Sequence, residues 1–326
     1  MATTKASLQD TTAGLYNTLC QGLNLSPQQF QMIQGVLPVP SNPAGLYNFF
    51  DGIPPVTVAT LYTSNPVNGL NGNMQRVIAD ALPGFLTTLA YNNYMNPKYW
   101  VDGNVSVDPI YSPTFSDLMN QVNAGSSATV NFDSATADSD ISSSWAKSTN
   151  SSGVGFWGTT SSSVSETLNQ MASSSRITVE LSFNKFAYLS IRAGGWFTQG
   201  FFTDQYKNPS KWTQGQDEWD TVFGTSGSCQ YLANQALLVN GYTIHVTSHA
   251  SYTQDDYTQI TTSGGTNVWP FYSTSSGSQA TASYKLNADG SITSTVACNP
   301  GSLQIFGMGV ISTAQALTSG SVSRMI

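Results

Sequence analysis

The strongest constraint on the fold is a run of alternating apolar and polar residues between Ser173 and Phe202. At its start every second residue is apolar, namely Ile177, Val179, Leu181 and Phe183. The residues between them are polar, which is typical of an antiparallel strand that buries only one face. The alternation continues through Leu189 and Ile191 until a pair of glycines interrupts it. The sequence therefore predicts one unusually long strand over residues 176–192.

The composition changes abruptly after Gly125, from helical patterns to segments rich in Ser, Thr and Gly with β-branched and aromatic residues. We therefore expect an α+β protein with two domains. Residues 1–125 should form a helical, Pro-rich N-terminal domain. Residues 126–326 should form an antiparallel β domain with two Ser/Thr-rich hairpin excursions, each ending in an aromatic tip.

Several helices are predicted in the N-terminal part from apolar spacing and capping residues. They cover residues 7–23, 26–34, 74–82, 85–94 and 115–122. The six prolines between Val36 and Pro66 are incompatible with a long helix or a central strand. This stretch is therefore expected to be an irregular ordered loop.

In the C-terminal part, the dipeptides Asn240–Gly241 and Asp289–Gly290 each predict a two-residue hairpin. The last strand is expected over Leu303–Ile311. Residues 164–171, on the return limb of the first excursion, also fit two turns of an amphipathic helix. Both a β limb and a partly helical limb remain open at that point.

The chain carries few charges, since 9% of its residues are Asp, Glu, Lys or Arg, against about 25% in an average soluble domain. The formal net charge is -7 and the 11 basic residues are scattered, so a nucleic-acid partner is not expected. Between Thr11 and Gln75 the one charged residue is Asp51. Surfaces of uncharged hydroxyls and amides repel a like surface weakly, which predicts a homo-oligomer.

The N-terminus, MATTKASLQD, has one lysine and no apolar core, unlike a classical signal peptide. No window of 18 apolar residues occurs, so no transmembrane helix is expected. The sequence thus predicts a chain made as a soluble protein. Release from its cell, if it occurs, would follow a non-classical route.

No metal or cofactor site is predicted. His245 and His249 share a face of the expected strand, but a metal site would need a third ligand, so hydrogen-bonded structural histidines are the simpler interpretation. The three cysteines form no CxxC pair and are expected to be packed or free thiols, with a bridge between the last two as the alternative. They are Cys20, Cys229 and Cys298.

Acidic residues occur in two clusters. Residues 216–220 place three carboxylates around Trp219, and paired carboxylates are what glycoside hydrolysis requires. Residues so close in sequence rarely face each other across a substrate. The acids at 133, 138 and 140 lack the glycine and the terminal glutamate of an EF-hand loop. We therefore predict that the protein is not an enzyme acting through conventional acid–base or metal chemistry.

Two aromatic groups mark the tips of the excursions: Phe156 and Trp157 in the first, and Trp269, Phe271 and Tyr272 in the second. Hydroxyl-rich limbs flank both tips, over residues 141–175 and 248–284. At the level of pattern, these segments resemble the insertion hairpins of β-pore-forming toxins such as the aerolysin and perforin-like families. The resemblance implies limbs that rest on a soluble body and later form a barrel wall, with aromatic tips at the membrane interface.

Two functions therefore remain open. The first is a non-enzymatic, self-associating, membrane-acting protein whose aromatic tips contact lipid or a partner. The second is a self-assembling structural protein that forms filaments, lattices or inclusions by pairing strand edges. In that case the tips pack on the body or on a neighbouring copy, and the assembly strand is the one that carries Ile177, Val179, Leu181 and Phe183.

Overall fold

The structure is a computed structural model that describes residues 8–52, 69–137, 156–157, 163–263, 267–269, 271–272 and 280–318. Within these residues it contains ten α-helices and an antiparallel sheet of six strands. The α+β class predicted from the sequence is thereby confirmed.

The helices are short and occur along the whole chain. They are α1 (Leu8–Gly22), α2 (Pro43–Asp51), α3 (Gly69–Asp80), α4 (Phe85–Tyr94), α5 (Phe115–Asn123), α6 (Ser163–Ser173), α7 (Gln199–Lys207), α8 (Gln216–Phe223), α9 (Gln254–Ser263) and α10 (Thr313–Thr318). The predicted helices near residues 7–23, 74–82, 85–94 and 115–122 are confirmed. The helical alternative for residues 164–171 is confirmed as well, by α6.

The strands are β1 (Phe30–Pro38), β2 (Tyr111–Ser112), β3 (Ser126–Asp133), β4 (Ile177–Ser190), β5 (Arg192–Ala193), β6 (Tyr231–Ser248), β7 (Asn267–Val268), β8 (Phe271–Tyr272), β9 (Thr281–Leu286) and β10 (Ile292–Ser312). The main sheet has the order β1-β10-β6-β4-β3, and β9 pairs with β10. The long strand predicted from the alternating run is β4. It lies inside the sheet, with β6 on one side and β3 on the other.

The register of β3 and β4 separates an apolar face from a polar one. Val130 pairs with Leu181 and Phe132 with Val179, and these four side chains are buried. The alternate pairs are polar, because Asn131 faces Glu180 and Asp133 faces Thr178. The sheet therefore contributes one face to a core and presents the other as a row of polar side chains.

The residues fall into two compact units. The β-rich unit comprises Met1–Pro38, Gln121–Ala187 and Leu237–Gly307, and the helical unit comprises Val39–Asn120, Tyr188–Ala236 and Met308–Ile326. These units differ from the predicted division at residue 125, because α1 and β1 group with the long strands, and α7 and α8 group with α3 and α4. Independent folding of residues 1–125 and 126–326 stays a prediction.

In the β-rich unit, α1 packs against β3. Gly22 lies so close to that strand that a Cβ atom added to it would be 2.9 Å from Val130 Cγ2. Tyr16 stacks on Phe30 with ring centroids 6.0 Å apart, and its hydroxyl donates to Pro27 O at 2.8 Å. The apolar stripe of α1 thereby fixes where β1 begins.

The core of the helical unit is a continuous group of aromatic rings. Trp196 contacts Tyr111 at 5.5 Å and Trp100 at 6.1 Å between ring centroids, and Phe223 contacts Phe202 at 5.1 Å. Trp196 Nε1 donates to Ile110 O at 2.8 Å, so its polar atom is paired inside the core. Aromatic rings thus supply a large part of the buried surface of this unit.

Asp51, the isolated charge noted in the sequence, joins three elements of the helical unit. Its Oδ1 accepts from the Asn71 amide at 2.8 Å, in the first turn of α3, and from the Tyr111 hydroxyl at 2.6 Å. A carboxylate at a helix N-terminus is favoured by the unpaired amides and by the helix dipole. Burial nevertheless raises the pKa of Asp51, and the three hydrogen bonds that lower it offset only part of this effect.

Two predictions for the N-terminal part are wrong. Ser26–Pro27 begins a single turn, in which the Phe30 amide donates to Ser26 O at 2.8 Å, and β1 then starts at Phe30 where a helix was predicted. Helix α2 lies in the stretch predicted to be an irregular loop. Asn42 caps this helix by accepting from the Gly45 amide at 2.7 Å, and Pro43 occupies its first turn, where the missing N–H is not needed.

The hairpin predicted at Asn240–Gly241 is also wrong, because both residues lie within β6. The Asn240 side chain is buried; it donates to Asn123 Oδ1 and accepts from the Gly301 amide, each at 2.7 Å. Gly241 has a φ of +80°, and a Cβ there would lie 2.9 Å from Pro300 Cγ. The dipeptide therefore lies where β6 and its neighbour β10 approach each other closely. A hairpin is confirmed at Asp289–Gly290 between β9 and β10, but its loop is longer than the two residues predicted, because Leu286 pairs with Ile292.

Asp51→Asn tests the cost of the buried charge. Because the folded-state pKa of Asp51 lies above its ordinary value of 3.8, the protonated form is favoured in the folded state. The stabilisation that the protonated Asp51 side chain gives to the folded state is fully present below the ordinary pKa. It is lost as the pH rises through the raised pKa. We expect wild type to lose stability relative to Asp51→Asn as the pH rises from about 3 to about 7, in urea titrations. Parallel pH profiles would contradict this expectation.

Candidate functional site

The two predicted aromatic tips meet in the β-rich unit. Phe156 of the first and Trp269 of the second stack with ring centroids 5.6 Å apart and an interplanar angle of 21°. The Trp269 amide donates to Phe156 O at 3.2 Å. Trp157 lies edge-on to Phe156 at 4.8 Å. The structure therefore brings the two tips together into one cluster, which we call the tip cluster (Phe156, Trp157 and Trp269).

The tip cluster is buried. Phe156, Trp157 and Trp269 are 0%, 1% and 2% exposed. The Trp157 ring packs against Tyr252 at 5.7 Å, and Trp269 Nε1 lies 3.3 Å from Thr12 Oγ1 on α1. In this conformation the three side chains of the tip cluster are part of the core and are shielded from solvent.

Parts of both excursions are helical, whereas the sequence analysis expected two β-hairpins. The first contains α6, and the second contains α9 followed by the short pair β7 and β8. Phe271 and Tyr272 form β8, but their side chains lie outside the described residues, as do residues 138–155 and 273–279. Hydroxyl-rich sequence is compatible with a helix here because an amphipathic stripe, including buried Leu168 and Ala172, provides the packing.

The strand predicted to mediate assembly is not an edge strand. β4 pairs with β3 from Thr178 to Phe186 and has β6 as its other neighbour. Its four predicted contact residues are between 0% and 2% exposed, namely Ile177, Val179, Leu181 and Phe183. Edge pairing through β4 would require the sheet to open, so the structure corrects the sequence interpretation on this point.

A different surface is apolar and exposed. The large apolar side chains exposed in the described residues lie between positions 82 and 107: Leu82, Phe85, Leu89, Tyr91, Met95 and Val107. Phe85, 80% exposed, and Leu89 lie one turn apart on α4, and Tyr91 and Met95 repeat this spacing. The other side of α4 is buried through Ala90 and Tyr94. We call Leu82, Phe85, Leu89, Tyr91 and Met95 the α4 surface.

Sequence reasoning identified α4 but not its exposed surface. Apolar residues occur on both sides of this helix, so its periodicity does not distinguish the buried side from the exposed one. The usable signal is its composition, FLTTLAYNNY, which contains no charged residue. A surface helix without charge is unusual, and this points to a contact with something other than water.

The polar face of the sheet forms an open groove of about 450 Å³, which we call the sheet groove. Its lining includes Asn131, Asp133, Thr136, Thr178, Glu180, His245 and Thr247. Both histidines of the chain belong to this face: His245 Nδ1 is 2.8 Å from Thr295 Oγ1, and His249 Nε2 is 3.1 Å from Thr178 Oγ1. They are hydrogen-bonded to threonines, as the structural interpretation of the sequence expected.

Of the remaining acids, Glu218 and Asp80 interact with each other, and the others described here have different partners. Asp133 pairs with Arg176, whose Nη2 lies 2.5 Å from Asp133 Oδ2, and this hydrogen bond lowers the pKa of Asp133. On α8, Gln216 donates to Asp220 at 2.8 Å. Desolvation and the neighbouring Asp80 raise the pKa of Glu218. In the described part of the chain, no group of three His, Cys, Asp or Glu side chains is arranged to hold a metal ion.

The three cysteines are free and buried, as predicted. Burial raises the pKa of the Cys20 thiol to about 11 and that of Cys229 to about 12, and it also raises the pKa of Cys298. The thiols are therefore protonated at neutral pH and are poor nucleophiles. None of the helices that the structure describes is long and apolar enough to span a bilayer.

Comparison with protein-family models, with curated proteins and with solved structures finds no match for this chain.

Truncation of Phe156 tests whether the tip cluster is packed. Phe156→Ala removes a fully buried ring, so we expect the free energy of unfolding to fall by about 3–5 kcal/mol in urea titrations. Phe85→Ala is the matched control, because Phe85 is 80% exposed and its loss should change the stability of the monomer little. A loss below about 1 kcal/mol for Phe156→Ala would show that the tips are not part of the core.

Proposed function

We propose that the protein is a non-enzymatic protein whose function is ordered self-association, and that its α4 surface contacts a second copy of the chain. The observation that carries the proposal is the exposure of large apolar side chains on an uncharged helix. Water contact with such a surface is unfavourable, and burial of each side chain stabilises a complex by about 1.5–3 kcal/mol. Exposed apolar residues beside polar ones often mark a contact site on a soluble protein, and here they flank the exposed Thr88 and Asn92 on one side of α4.

Charge favours a second copy over a lipid surface. Helices that lie in a membrane interface usually carry Lys or Arg beside their apolar face, whereas α4 contains neither. The basic residues nearest to α4 in sequence are already engaged: Lys98 lies over the Tyr99 ring at 4.6 Å, and Arg76 is 3.6 Å from Asp80. Lys211, whose carbonyl accepts from the Leu82 amide, pairs with Asp204 at 2.7 Å. With a net charge of -7, the chain would also be repelled by anionic lipids.

The same lack of charge favours contact between identical surfaces. In a two-fold contact each α4 faces the α4 of its partner, so like charges would meet if they were present. Here the exposed side of α4 offers only apolar, hydroxyl and amide groups. Phe85 and Met95 are ten residues apart, or about 15 Å along the helix, which is enough length for a helix-to-helix contact.

The absence of enzymatic activity is part of the proposal. It is supported by the protonated thiols, by histidines that are hydrogen-bonded to threonines, and by the ion pair of Asp133 with Arg176. General acid–base catalysis needs several such groups to converge beside a substrate. Glu218 and Asp80 do interact, but in the described part of the chain no group of three His, Cys, Asp or Glu side chains is arranged to hold a metal ion.

The membrane-acting alternative requires a change of conformation. The tip cluster would have to leave the core before Trp157 or Trp269 reached a bilayer. Exposure of three aromatic side chains would cost several kcal/mol, at about 1.5–3 kcal/mol each. Binding of the exposed side chains to a lipid surface would have to release at least as much free energy. The proposed self-contact through α4 needs no such rearrangement.

Sedimentation velocity over a wide range of protein concentration tests the proposal. We expect wild type to form larger species as its concentration rises. The double variant Phe85→Ser with Leu89→Ser should shift the association equilibrium toward the monomer by at least about 30-fold, which corresponds to about 2 kcal/mol. The control is Thr88→Ser with Asn92→Ser, which changes the same exposed side of α4 but removes only one methyl group, and it should associate as wild type does.

Dye-loaded liposomes examined with the same samples separate the two functions. A wild type that stays monomeric but releases dye, with release lost in Trp157→Ser or Trp269→Ser, would replace self-association by membrane action. A wild type that associates equally with and without the α4 substitutions would contradict the role of the α4 surface. Filaments or lattices in negative stain without dye release would support the proposal.

A further inference from the structure

The sheet groove lies in the β-rich unit and is independent of the α4 surface. Its floor is the polar face of adjoining strands, where Asn131 and Asp133 of β3 lie opposite Glu180 and Thr178 of β4. His245 and Thr247 line it from β6. Strand alternation accounts for this arrangement, because the side chains of the alternate residues Phe132 and Val179 are buried, although both residues also belong to the lining. The side chains that the groove presents are therefore mainly hydroxyl, amide, imidazole and carboxylate groups.

Hydrogen bonds between strands hold several of these side chains in place. Arg176 Nε donates to Asp133 Oδ1 at 2.9 Å, and Thr247 Oγ1 is 2.8 Å from Thr293 Oγ1. His245 is fixed through Nδ1 by Thr295, and Thr178 is fixed by His249. A polar site ordered before binding loses less conformational entropy when a ligand arrives.

The charge of the groove restricts its ligand. Asp133 and Arg176 form an ion pair, so their charges offset each other. Glu180 then leaves the lining with a net negative charge, which disfavours phosphate, sulfate and other anions. Its side chains also form no group of three metal ligands. A wholly apolar ligand is disfavoured for a different reason, since it would leave polar groups such as Glu180 and Asn131 without hydrogen bonds.

We propose that the sheet groove binds a neutral saccharide. Each hydroxyl of a sugar both donates and accepts, which suits a lining that mixes acceptors such as Glu180 with donors such as the Asn131 amide. A carboxylate accepts from two neighbouring hydroxyls at once, and such charge-assisted bonds are the stronger ones. The volume of about 450 Å³ lies in the range of small-ligand sites.

Binding is tested by saturation-transfer NMR and calorimetry on the full chain. The probes are methyl glycosides of glucose, galactose, mannose and N-acetylglucosamine, with the corresponding disaccharides, at up to about 20 mM, so that a Kd near 1 mM is detected. We expect at least one probe to bind. Glu180→Gln should weaken that binding by at least about tenfold, because a charge-assisted hydrogen bond contributes more than 1.4 kcal/mol.

Asn184→Ala is the matched control, since Asn184 is exposed on the same side of β4 but does not line the groove. It should bind as wild type does, and circular dichroism should show that both variants are folded. The proposal is overturned if no neutral probe binds, if Glu180→Gln binds unchanged, or if Asn184→Ala loses binding equally. Preferential binding of sialylated or sulfated probes would overturn the neutral character of the ligand.

Discussion

The pairing of β4 with a neighbour on each side is the interaction on which much of the structure depends. This pairing buries the side chains of Ile177, Val179 and Leu181 in the core, and it places Thr178 and Glu180 on the polar face. A shift of one residue would exchange the two faces, so the register is strongly specified. The sheet groove exists because that register aligns polar side chains across β3, β4 and β6.

Local patterns predicted elements well where one physical effect dominated. The alternation of β4, the stripe of α1 and the Asp289–Gly290 hairpin all depend on neighbours in sequence. The hairpin prediction at Asn240–Gly241 failed because Gly241 adopts a positive φ inside a continuous strand, as it would in a turn. Only the hydrogen-bond partners of Asn240 show which of the two is present. Likewise, the start of β1 depends on Tyr16, fourteen residues away in sequence.

The proposed functional surfaces were harder to predict because they depend on which side chains remain exposed to solvent after the chain has packed. Aromatic residues flanked by hydroxyl-rich limbs suggested exposed tips, yet the rings of Phe156 and Trp269 stack on each other in the core. On α4 the situation is reversed, since Phe85 and Leu89 look like core residues and remain in contact with solvent. Sequence composition shows how much apolar area a chain has, whereas tertiary packing decides which part of it is hidden.

The buried thiols allow local unfolding of the protein to be measured in solution. Cys20 and Cys298 belong to the β-rich unit, and Cys229 belongs to the helical unit. Each is at most 3% exposed and is held in its unreactive form, so an alkylating reagent reaches it only when the surrounding structure opens. Labelling rates, resolved by peptide mass spectrometry, would report the opening of each unit separately. The natural chain thus carries its own chemical reporters of local unfolding.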